Sequence, residues 1–350
     1  MNTTKLAPPG AARPVPPPVP AAARKRLEVR VLATLARHRE LTPLLILLVL
    51  SAGFTMLNPN FFSSLNVTTL LSIVPELGII ALGMALLLTA GEFDLSVGAV
   101  FGLAPILLLL AVQFGAPLPL ALAGALAVSV AIGCLNGVLV TGLSITSFLV
   151  TLSILLIVRG SALFVTNGFP QQPLEDESLL RSLLAGNFEL AGITVNASLV
   201  WFAGLAALCH YLLRHARLGN WIVATGSNSA AATARGVPTA GVKIGLFALT
   251  SALAGFAGIL SALRISSASP VAGTGYELEV IAMVVIGGTV LTGGQGTIVG
   301  TVIGVMLLRI IRNGIIMAGA PGLAYNIFVG VIILAMLIIH ARLEKYTKLR

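Results

Sequence analysis

Long apolar stretches, separated by short polar or glycine-rich segments, run from residue 44 almost to the C-terminus. A helix needs about 20 apolar residues to cross the hydrocarbon core of a bilayer, so the pattern predicts an all-α polytopic membrane protein with about ten spans. The predicted spans are 44–57, 67–90, 95–114, 118–141, 146–166, 197–213, 242–263, 278–291, 297–317 and 323–340. The third and eighth are short or interrupted by glycine, which leaves a re-entrant course open for one of them.

The N-terminal region differs in composition from these stretches. Residues 1–23 contain seven of the 18 prolines among many alanines, which is typical of a disordered tail. Residues 24–40 are basic and place Leu27, Val31 and Leu35 at helical spacing. This favours an amphipathic helix on the membrane surface, with a solvated charged leader as the alternative. No small-residue cleavage site accompanies the first span, so we expect that span to be retained.

The overall composition excludes an ordinary soluble enzyme. The chain is 57% hydrophobic and 9% charged, against about 45–50% and about 25% for soluble domains. Its mean hydropathy of +1.01 is that of a membrane protein. The net charge of +9 comes from basic residues at the ends of apolar stretches, and this distribution does not favour nucleic-acid binding.

The distribution of charge also predicts the topology. Residues 1–43, 214–243 and 342–350 carry 16 of the 21 Lys and Arg residues. Positive charge collects on the cytoplasmic side of membrane proteins, so we expect both termini and the basic tail 342–350 to be cytoplasmic. Residues 167–196 carry four acidic residues and one arginine, and are predicted to be external.

Several classes of site lack their sequence motifs in this chain. Cys134 and Cys209 lie in apolar stretches without a CxxC pair, and neither HExxH nor GxSxG occurs. The glycine-rich run 288–296 lacks the Lys followed by Ser or Thr of a phosphate-binding loop. We therefore expect no metal, no cofactor and no catalytic site, with any ATP bound by a partner.

One carboxylate stands out at the junction of the second and third predicted spans. Asp94 is followed by Ser96 at the start of an apolar stretch. A carboxylate at mid-bilayer costs about 2.5–3.5 kcal/mol, so its retention needs a structural or functional reason. Asp94 is predicted either to cap the third span or to contact a transported solute; the role of neighbouring Glu92 is left open.

Other charged residues lie within predicted spans. Arg309 and Arg312 are one helical turn apart and share a face. They are expected either to line a pathway or to extend their charged ends to the outer membrane interface. Glu76 and Arg159 are candidates for an ion pair.

The glycine-rich region 287–304 is predicted to be helical. Gly296, Gly300 and Gly304 follow one another at four-residue spacing, which exposes bare backbone along one stripe where a second helix can approach. The stripe is expected to pack within the subunit, with a homodimer interface as the alternative.

Residues 218–242 contain the signals of a short helix on the cytoplasmic side. Asn228 is a suitable N-cap, 229–235 is rich in alanine, Gly236 suits the position after the helix, and Pro238 blocks continuation. A helix this short is marginal alone and gains order in a partner's groove. An ordinary connecting loop is the alternative.

Short motifs follow one another in order along residues 67–340. They are PELG (75–78), ALGM (81–84), GEFDLSVG (91–98), LNG (135–137), SFLVTL (147–152), RG (159–160), SSASP (266–270), AGTGYEL (272–278), GGT (287–289) and GGQG (293–296). The series resembles permease subunits of ATP-binding-cassette importers of the ribose and simple-sugar type. Glu92 and Phe93 depart from the commonest form of those permeases.

The resemblance implies a transporter subunit that moves a monosaccharide or related polyol, ribose- or xylose-like, across a bacterial inner membrane by alternating access. It implies three partners: a cytoplasmic ATPase, an external solute-binding protein and a second copy of the chain. The family's coupling helix falls on Asn228, Ser229, Thr233, Arg235 and Gly236. Asp94, Asn136, Phe148 and Thr151 are the candidates for the solute pathway, because an aromatic face and hydrogen-bonding groups suit a sugar.

An ion-coupled secondary transporter of a small polar solute is the competing function. That class needs acidic residues in mid-membrane to bind a cation and often shows paired repeats with broken helices. In this sequence the acidic residues cluster at the ends of the predicted spans. Dependence of transport on a proton gradient distinguishes the two functions.

Overall fold

The computed structural model describes residues 40–171, 179–190 and 192–319, together with positions 327, 330, 331, 334 and 338. The predicted tails 1–23 and 342–350, and all of the surface segment except Glu40, lie outside the described residues. The helices are α1 Leu41–Leu57, α2 Ser64–Thr89, α3 Val97–Gln113, α4 Leu118–Gly142, α5 Ser147–Thr166, α6 Leu179–Ala185, α7 Ala197–Arg214, α8 Arg217–Ser227, α9 Ser229–Ala234, α10 Thr239–Ile265, α11 Tyr276–Ile286 and α12 Ile298–Met317.

Most of these helices are apolar enough to lie in a membrane. Six of them have the length and hydropathy to cross it: α2, α4, α5, α7, α10 and α12. The apolar helices α1 and α3 have 17 residues each. In the tenth predicted span the five described positions, 327, 330, 331, 334 and 338, are helical and exposed. The chain is therefore a mostly helical, polytopic membrane protein, while the count of about ten spans stays a prediction.

The eighth predicted span is a shorter helix than the apolar pattern indicates. Helix α11 has 11 residues, which is about 16 Å of helix, far less than the bilayer core. The backbone leaves the helix at Gly288, whose φ is 95°, and Gly293 and Gly294 also have positive φ. Helix α12 begins only at Ile298. The prediction of continuous helix over 287–304 is wrong, because these glycines adopt the left-handed region, which an α-helix does not use.

A small β-hairpin adds to the predicted all-α architecture. Strands β1 Asn187–Leu190 and β2 Ile193–Asn196 pair antiparallel, with Phe188 opposite Val195. Gly192 lies between them with a φ of 77°. Alternating polar and apolar residues on both sides of a glycine predict a β-hairpin. The length of an apolar stretch, which predicts the membrane spans, does not indicate such a hairpin.

Helices α2 and α10 form the centre of the bundle. In each, 78% of the most apolar stretch is buried, against 28% for α4 and α5. Glycine lets the central helices approach closely: a Cβ built on Gly83 of α2 would lie 2.9 Å from Thr250 Cα of α10. The outer faces of α4 and α5 carry exposed apolar side chains, among them Leu135, Val138 and Leu156.

Different segments of the chain form the two ends of the bundle. At one end the Thr297 hydroxyl donates to the Glu40 carboxylate, and Gly294 N–H donates to Thr89 O at 2.8 Å. Helix α8 packs on the same end, where Gly226 contacts the Thr89 carbonyl. We call this end, with the segment 217–238, the α8–α9 end.

The hairpin lies at the opposite end. There Ser64 Oγ donates to Gly192 O at 2.6 Å, and Gln171 pairs with Ala268 in a β-bridge. Residue 40 and the predicted cytoplasmic segment therefore share one end, and the predicted external segment lies at the other. Which compartment each end faces stays a prediction.

Candidate functional site

A fully buried cluster of polar side chains surrounds Asp94. Asp94 Oδ1 accepts hydrogen bonds from Ser96 N–H at 2.8 Å and from Ser96 Oγ at 2.6 Å. Its Oδ2 accepts from Asn136 Nδ2 at 3.2 Å and from Ser251 Oγ at 3.3 Å. Thr151 Oγ1 accepts from Leu95 N–H at 3.0 Å. We call Asp94, Ser96, Asn136, Thr151 and Ser251 the Asp94 cluster; none of these residues is exposed.

The cluster joins four parts of the chain. The loop 90–96 leaves α2 through Gly91, whose φ of 85° turns the backbone sharply. Asp94 then binds the backbone and side chain of Ser96, the N-cap residue of α3. These bonds order the loop beside the start of α3, but no side chain caps the free N–H groups of its first turn. The other members come from α4, α5 and α10, so the cluster ties three long helices to one short loop.

Three of the four predicted pathway residues meet in this cluster. Asp94, Asn136 and Thr151 lie together but are closed to solvent in this conformation. Phe148 lies outside the cluster: it is 48% exposed, and its ring centroid is 6.4 Å from that of Phe93. Asn136 Oδ1 is buried without a hydrogen-bond partner among the described residues. The pathway role of all four stays a prediction.

Sequence reasoning missed Ser251 as a member of the cluster. Ser251 lies in the middle of α10, adjacent to Thr250, and both are fully buried. The available signal was a pair of hydroxyl residues inside an otherwise apolar span. Hydroxyl residues of this kind also bond to their own helix, as Thr250 does to Leu246 O at 2.8 Å, so the signal alone does not identify a partner.

A polar cleft lies between this cluster and the α8–α9 end. It has a volume of about 480 Å³ and opens to solvent, and its polar lining comes from Glu92, Thr141, Ser144, Thr146, Ser147, Ser229, Thr239 and Lys243. Thr151 of the cluster donates to Ser147 O at 2.8 Å, one helical turn away. The cleft thus reaches to within one turn of α5 from the buried cluster. Its many hydroxyl groups offer both donors and acceptors to a solute.

The segment 217–238 forms two short helices, and the second, α9, has a side-chain cap at its start and a glycine after its end. Asn228 Oδ1 accepts from Ala231 N–H at 2.9 Å at the start of α9. Gly236 has a φ of 83° and donates to Thr233 O at 2.9 Å. Arg235 and Gly236 are exposed. The predicted helix with its Asn228 cap and glycine stop is therefore present, and only Ala232 of α9 is buried.

The buried charges near the opposite end pair differently from the prediction. Glu76 binds Arg264, and it accepts from Ser261 Oγ at 2.9 Å. Arg159 instead donates to the carbonyl oxygens of Pro270 at 2.8 Å and Ala272 at 2.6 Å. The suggested Glu76–Arg159 pair is wrong, because these arginine contacts hold α5 to the loop before α11 rather than to α2.

Arg309 is one of the largest fully buried side chains. Its Nη1 lies 4.0 Å from Glu279 Oε1, and its Nε and Nη2 have no hydrogen-bond partner among the described residues. Its side chain is 2% exposed and lies inside the bundle. Interaction with an acidic residue on a neighbouring helix lowers the cost of burying this charge.

The three glycines of the predicted stripe contact their own chain. Gly300 packs against the Gly287 carbonyl and Gly304 against the Met283 carbonyl, both next to or within α11. Gly296 lies before α12 and packs against the Thr89 side chain. Of the two interpretations of the stripe, these contacts match packing within the subunit.

Comparisons with known proteins extend over almost all of the described bundle. A family model described as "Branched-chain amino acid transport system / permease component" matches residues 66–337. The ribose import permease protein RbsC of Escherichia coli K12 is 38% identical over 297 residues, 85% of this chain and 92% of the relative. RbsC of Bacillus subtilis 168 is 34% identical, with 85% and 91% covered. The L-arabinose ABC transporter permease protein AraH of Azospirillum brasilense is 32% identical, with 84% and 85% covered. No solved structure matches this chain significantly.

Proposed function

The chain belongs to the branched-chain amino acid transport system / permease component family, and from this premise we propose that it is the membrane subunit of an ATP-driven importer for a monosaccharide or related polyol. The similarity to the ribose import permease RbsC over 85% of the chain carries the proposal. That relative and AraH are named for sugars, which favours a sugar over an amino acid. The hydroxyl-lined cleft suits the same solute class.

The proposed mechanism is alternating access driven by a separate ATPase. Helix α9 is capped, exposed on most of its surface, and connected to the buried bundle through α8 and α10. Such a helix fits into a groove of a cytoplasmic ATPase, and closure of two ATPases then moves two copies of the α8–α9 segment. The solute arrives from an external binding protein that supplies affinity, so the permease needs only weak solute contacts.

The Asp94 cluster disfavours the alternative of ion coupling. A cation site needs several oxygen ligands directed at one point. Both Asp94 oxygens instead accept hydrogen bonds, from two N–H donors and two hydroxyl donors. We propose that the cluster closes the pathway in this conformation and separates during transport.

The proposal also assigns location and partners. We place the α8–α9 end in the cytoplasm of a bacterial inner membrane, because the basic segment 214–243 lies at that end together with the proposed ATPase site, and positive charge collects on the cytoplasmic side. Exposed apolar faces of α4, α5 and α7 contact lipid and a second copy of the chain. Two copies are needed to complete one pathway and to engage two ATPases.

Purification and reconstitution test this function. The tagged chain, isolated from native membranes in mild detergent, is expected to bring with it an ATPase with Walker motifs, identified by mass spectrometry. In proteoliposomes the complex and its binding protein are expected to take up D-ribose or L-arabinose with ATP, and uptake is expected to persist when a protonophore removes the proton gradient. Recovery of the chain alone, with uptake abolished by the protonophore, favours the secondary transporter.

Replacement of Gly236 with valine is expected to reduce solute-stimulated ATP hydrolysis at least about fivefold, the lower range of coupling between sites. Gly236 has a φ of 83°, which a β-branched residue adopts only with strain, so the end of α9 must rearrange. The matched control is Gly241→Val, at an exposed position in the first turn of α10 where no atom lies within 4 Å of the added Cβ. ATPase assays on both complexes decide the point, and equal stimulation in the two variants removes the coupling role.

A further inference from the structure

An ion pair joins the α8–α9 end to the loop that carries the Asp94 cluster. We propose that Glu92 and Lys243 are positioning residues that transmit the movement of α9 to this cluster, so that ATP hydrolysis and opening of the solute pathway stay linked. The inference rests on the proposed function and assigns it a specific route through the fold.

The pair is short and shielded from solvent. Lys243 Nζ lies 2.6 Å from Glu92 Oε1, and the two side chains are only 20% and 13% exposed. The residues are 151 positions apart in sequence, so the contact is a property of the tertiary structure. A partly buried pair is costly to break on one side only, because the remaining charge keeps its desolvation penalty. It therefore resists separation when one of its ends is pulled.

Lys243 moves with the coupling helix. It lies in the second turn of α10, a helix that begins at Thr239 directly after the α9 turn. The hydroxyl groups of Thr233 in α9 and Thr239 in α10 are 2.9 Å apart and hydrogen-bonded. Gly236 and Pro238 occupy the short connection. A displacement of α9 therefore reaches the start of α10 without passing through a long flexible linker.

Glu92 moves with the Asp94 cluster. It lies two residues before Asp94 on the loop 90–96, and its N–H donates to Leu87 O at 3.1 Å. Asp94 accepts four hydrogen bonds from groups on the loop, α4 and α10. Gly91 gives the loop a turning point next to Glu92. A pull on Glu92 thus acts on the hydrogen bonds that close the cluster.

The position of the pair in the cleft agrees with this role. Glu92 and Lys243 both line the polar cleft, together with Ser229 of α9 and Ser147 of α5. The coupling helix and the ion pair are therefore neighbours around one cavity, whose wall at Ser147 lies one turn of α5 from Thr151 of the cluster. A movement of this wall changes the space next to the cluster.

A second contact also joins the α8–α9 end to the bundle, between α8 and the last residue of α2, and it does not involve charge. Gly226 of α8 packs so closely on the Thr89 carbonyl that an added Cβ has no room. This contact holds the segment on the bundle but fixes only a distance between backbones. A test must therefore separate the charge-dependent route from general packing, which a double-mutant cycle does.

The experiment uses the complete transporter, with its ATPase and binding protein, in proteoliposomes supplied with D-ribose or L-arabinose. Glu92→Gln and Lys243→Gln are each expected to raise the ATP hydrolysed per sugar transported about tenfold, within the usual range of coupling between sites. The double neutral variant is expected to be no worse than either single variant. The exchanged pair Glu92→Lys with Lys243→Glu is expected to return within about threefold of wild type, since the attraction is restored.

Two controls separate positioning from folding. Lys243→Arg keeps the charge and is expected to retain coupling, which shows that the charge rather than the lysine shape is needed. Glu189→Gln neutralises an exposed carboxylate on the hairpin at the opposite end and is expected to change nothing. Size-exclusion chromatography confirms that each complex is assembled before it is assayed.

The outcomes distinguish failure of the inference from failure of the proposed function on which it rests. A wild-type chain that brings no ATPase with it on purification overturns the proposed function and the inference together. A coupled wild type with unaffected single variants overturns the inference alone. Additive losses in the double variant, or an exchanged pair as uncoupled as the single variants, also overturn it, because the two charges then act independently.

Discussion

Replacing Gly133 with leucine is expected to remove most of the folded protein from the membrane, whereas Gly124→Leu leaves its amount unchanged. Gly133 lies on the buried face of α4, where an added Cβ would be 2.7 Å from Ala248 Cα of α10 and would overlap the Phe247 carbonyl. Overpacking of ordinary cores costs about 1–3 kcal/mol because side chains and backbone must shift. Here the obstacle is the backbone of a central helix, so we expect an effect at the upper end of that range.

Gly124 is the matched control on the same helix. It is exposed, and no atom lies within 4 Å of a Cβ built on it. Both substitutions add the same side chain to the same apolar helix, so differences in insertion by hydropathy are small. The comparison is made by thermal unfolding and by the monodisperse fraction in size-exclusion chromatography. Equal stability of the two variants contradicts the packing of α4 against α10.

The second large effect is expected at Asp94, where even asparagine should abolish transport and lower stability. All four contacts of the Asp94 side chain use it as an acceptor. An asparagine has only one acceptor oxygen. Its NH₂ group must therefore face either the two donors of Ser96 or the donors of Asn136 and Ser251. Each buried donor left without a partner costs about 1–3 kcal/mol. The loss of stability affects the loop 90–96 and the helices α4, α5 and α10, which meet at the cluster.

Ser251→Ala provides the corresponding control. Its hydroxyl makes the longest of the four contacts, 3.3 Å, and its removal takes away one donor while Asp94 Oδ2 keeps the bond from Asn136. We therefore expect a small fall in melting temperature and retained uptake. Asp94→Asn with normal uptake and normal melting temperature refutes the closed cluster as an essential part of the fold.

Local signals in the sequence predicted a substantial part of the structure. Apart from the eighth span, the described apolar helices begin and end close to the predicted positions, because a stretch of about 20 apolar residues forms a helix that can cross a bilayer. Helix α9 was predictable for a similar reason: Asn228 and Gly236 act on backbone groups within a few residues. The ordered motifs identified the family, which similarity to RbsC confirms.

The partners of the charged residues were decided by tertiary structure. Glu76 meets Arg264 rather than Arg159, and Glu92 meets Lys243 across 151 residues. Such pairs depend on which helices are neighbours and on how each is rotated about its axis. Spacing along one helix shows which residues share a face, but not what that face contacts.

The sequence by itself determined that the chain is a polytopic permease with a capped segment between α7 and α10. Only the tertiary structure decided which helices form the centre. Helices α2 and α4 have the same hydropathy, 2.2, yet 78% of one and 28% of the other is buried. Lipid tails are as apolar as the protein interior, so hydropathy cannot separate them. Close contacts at Gly83 and Gly133 and the hydrogen bonds of Asp94 set these positions instead.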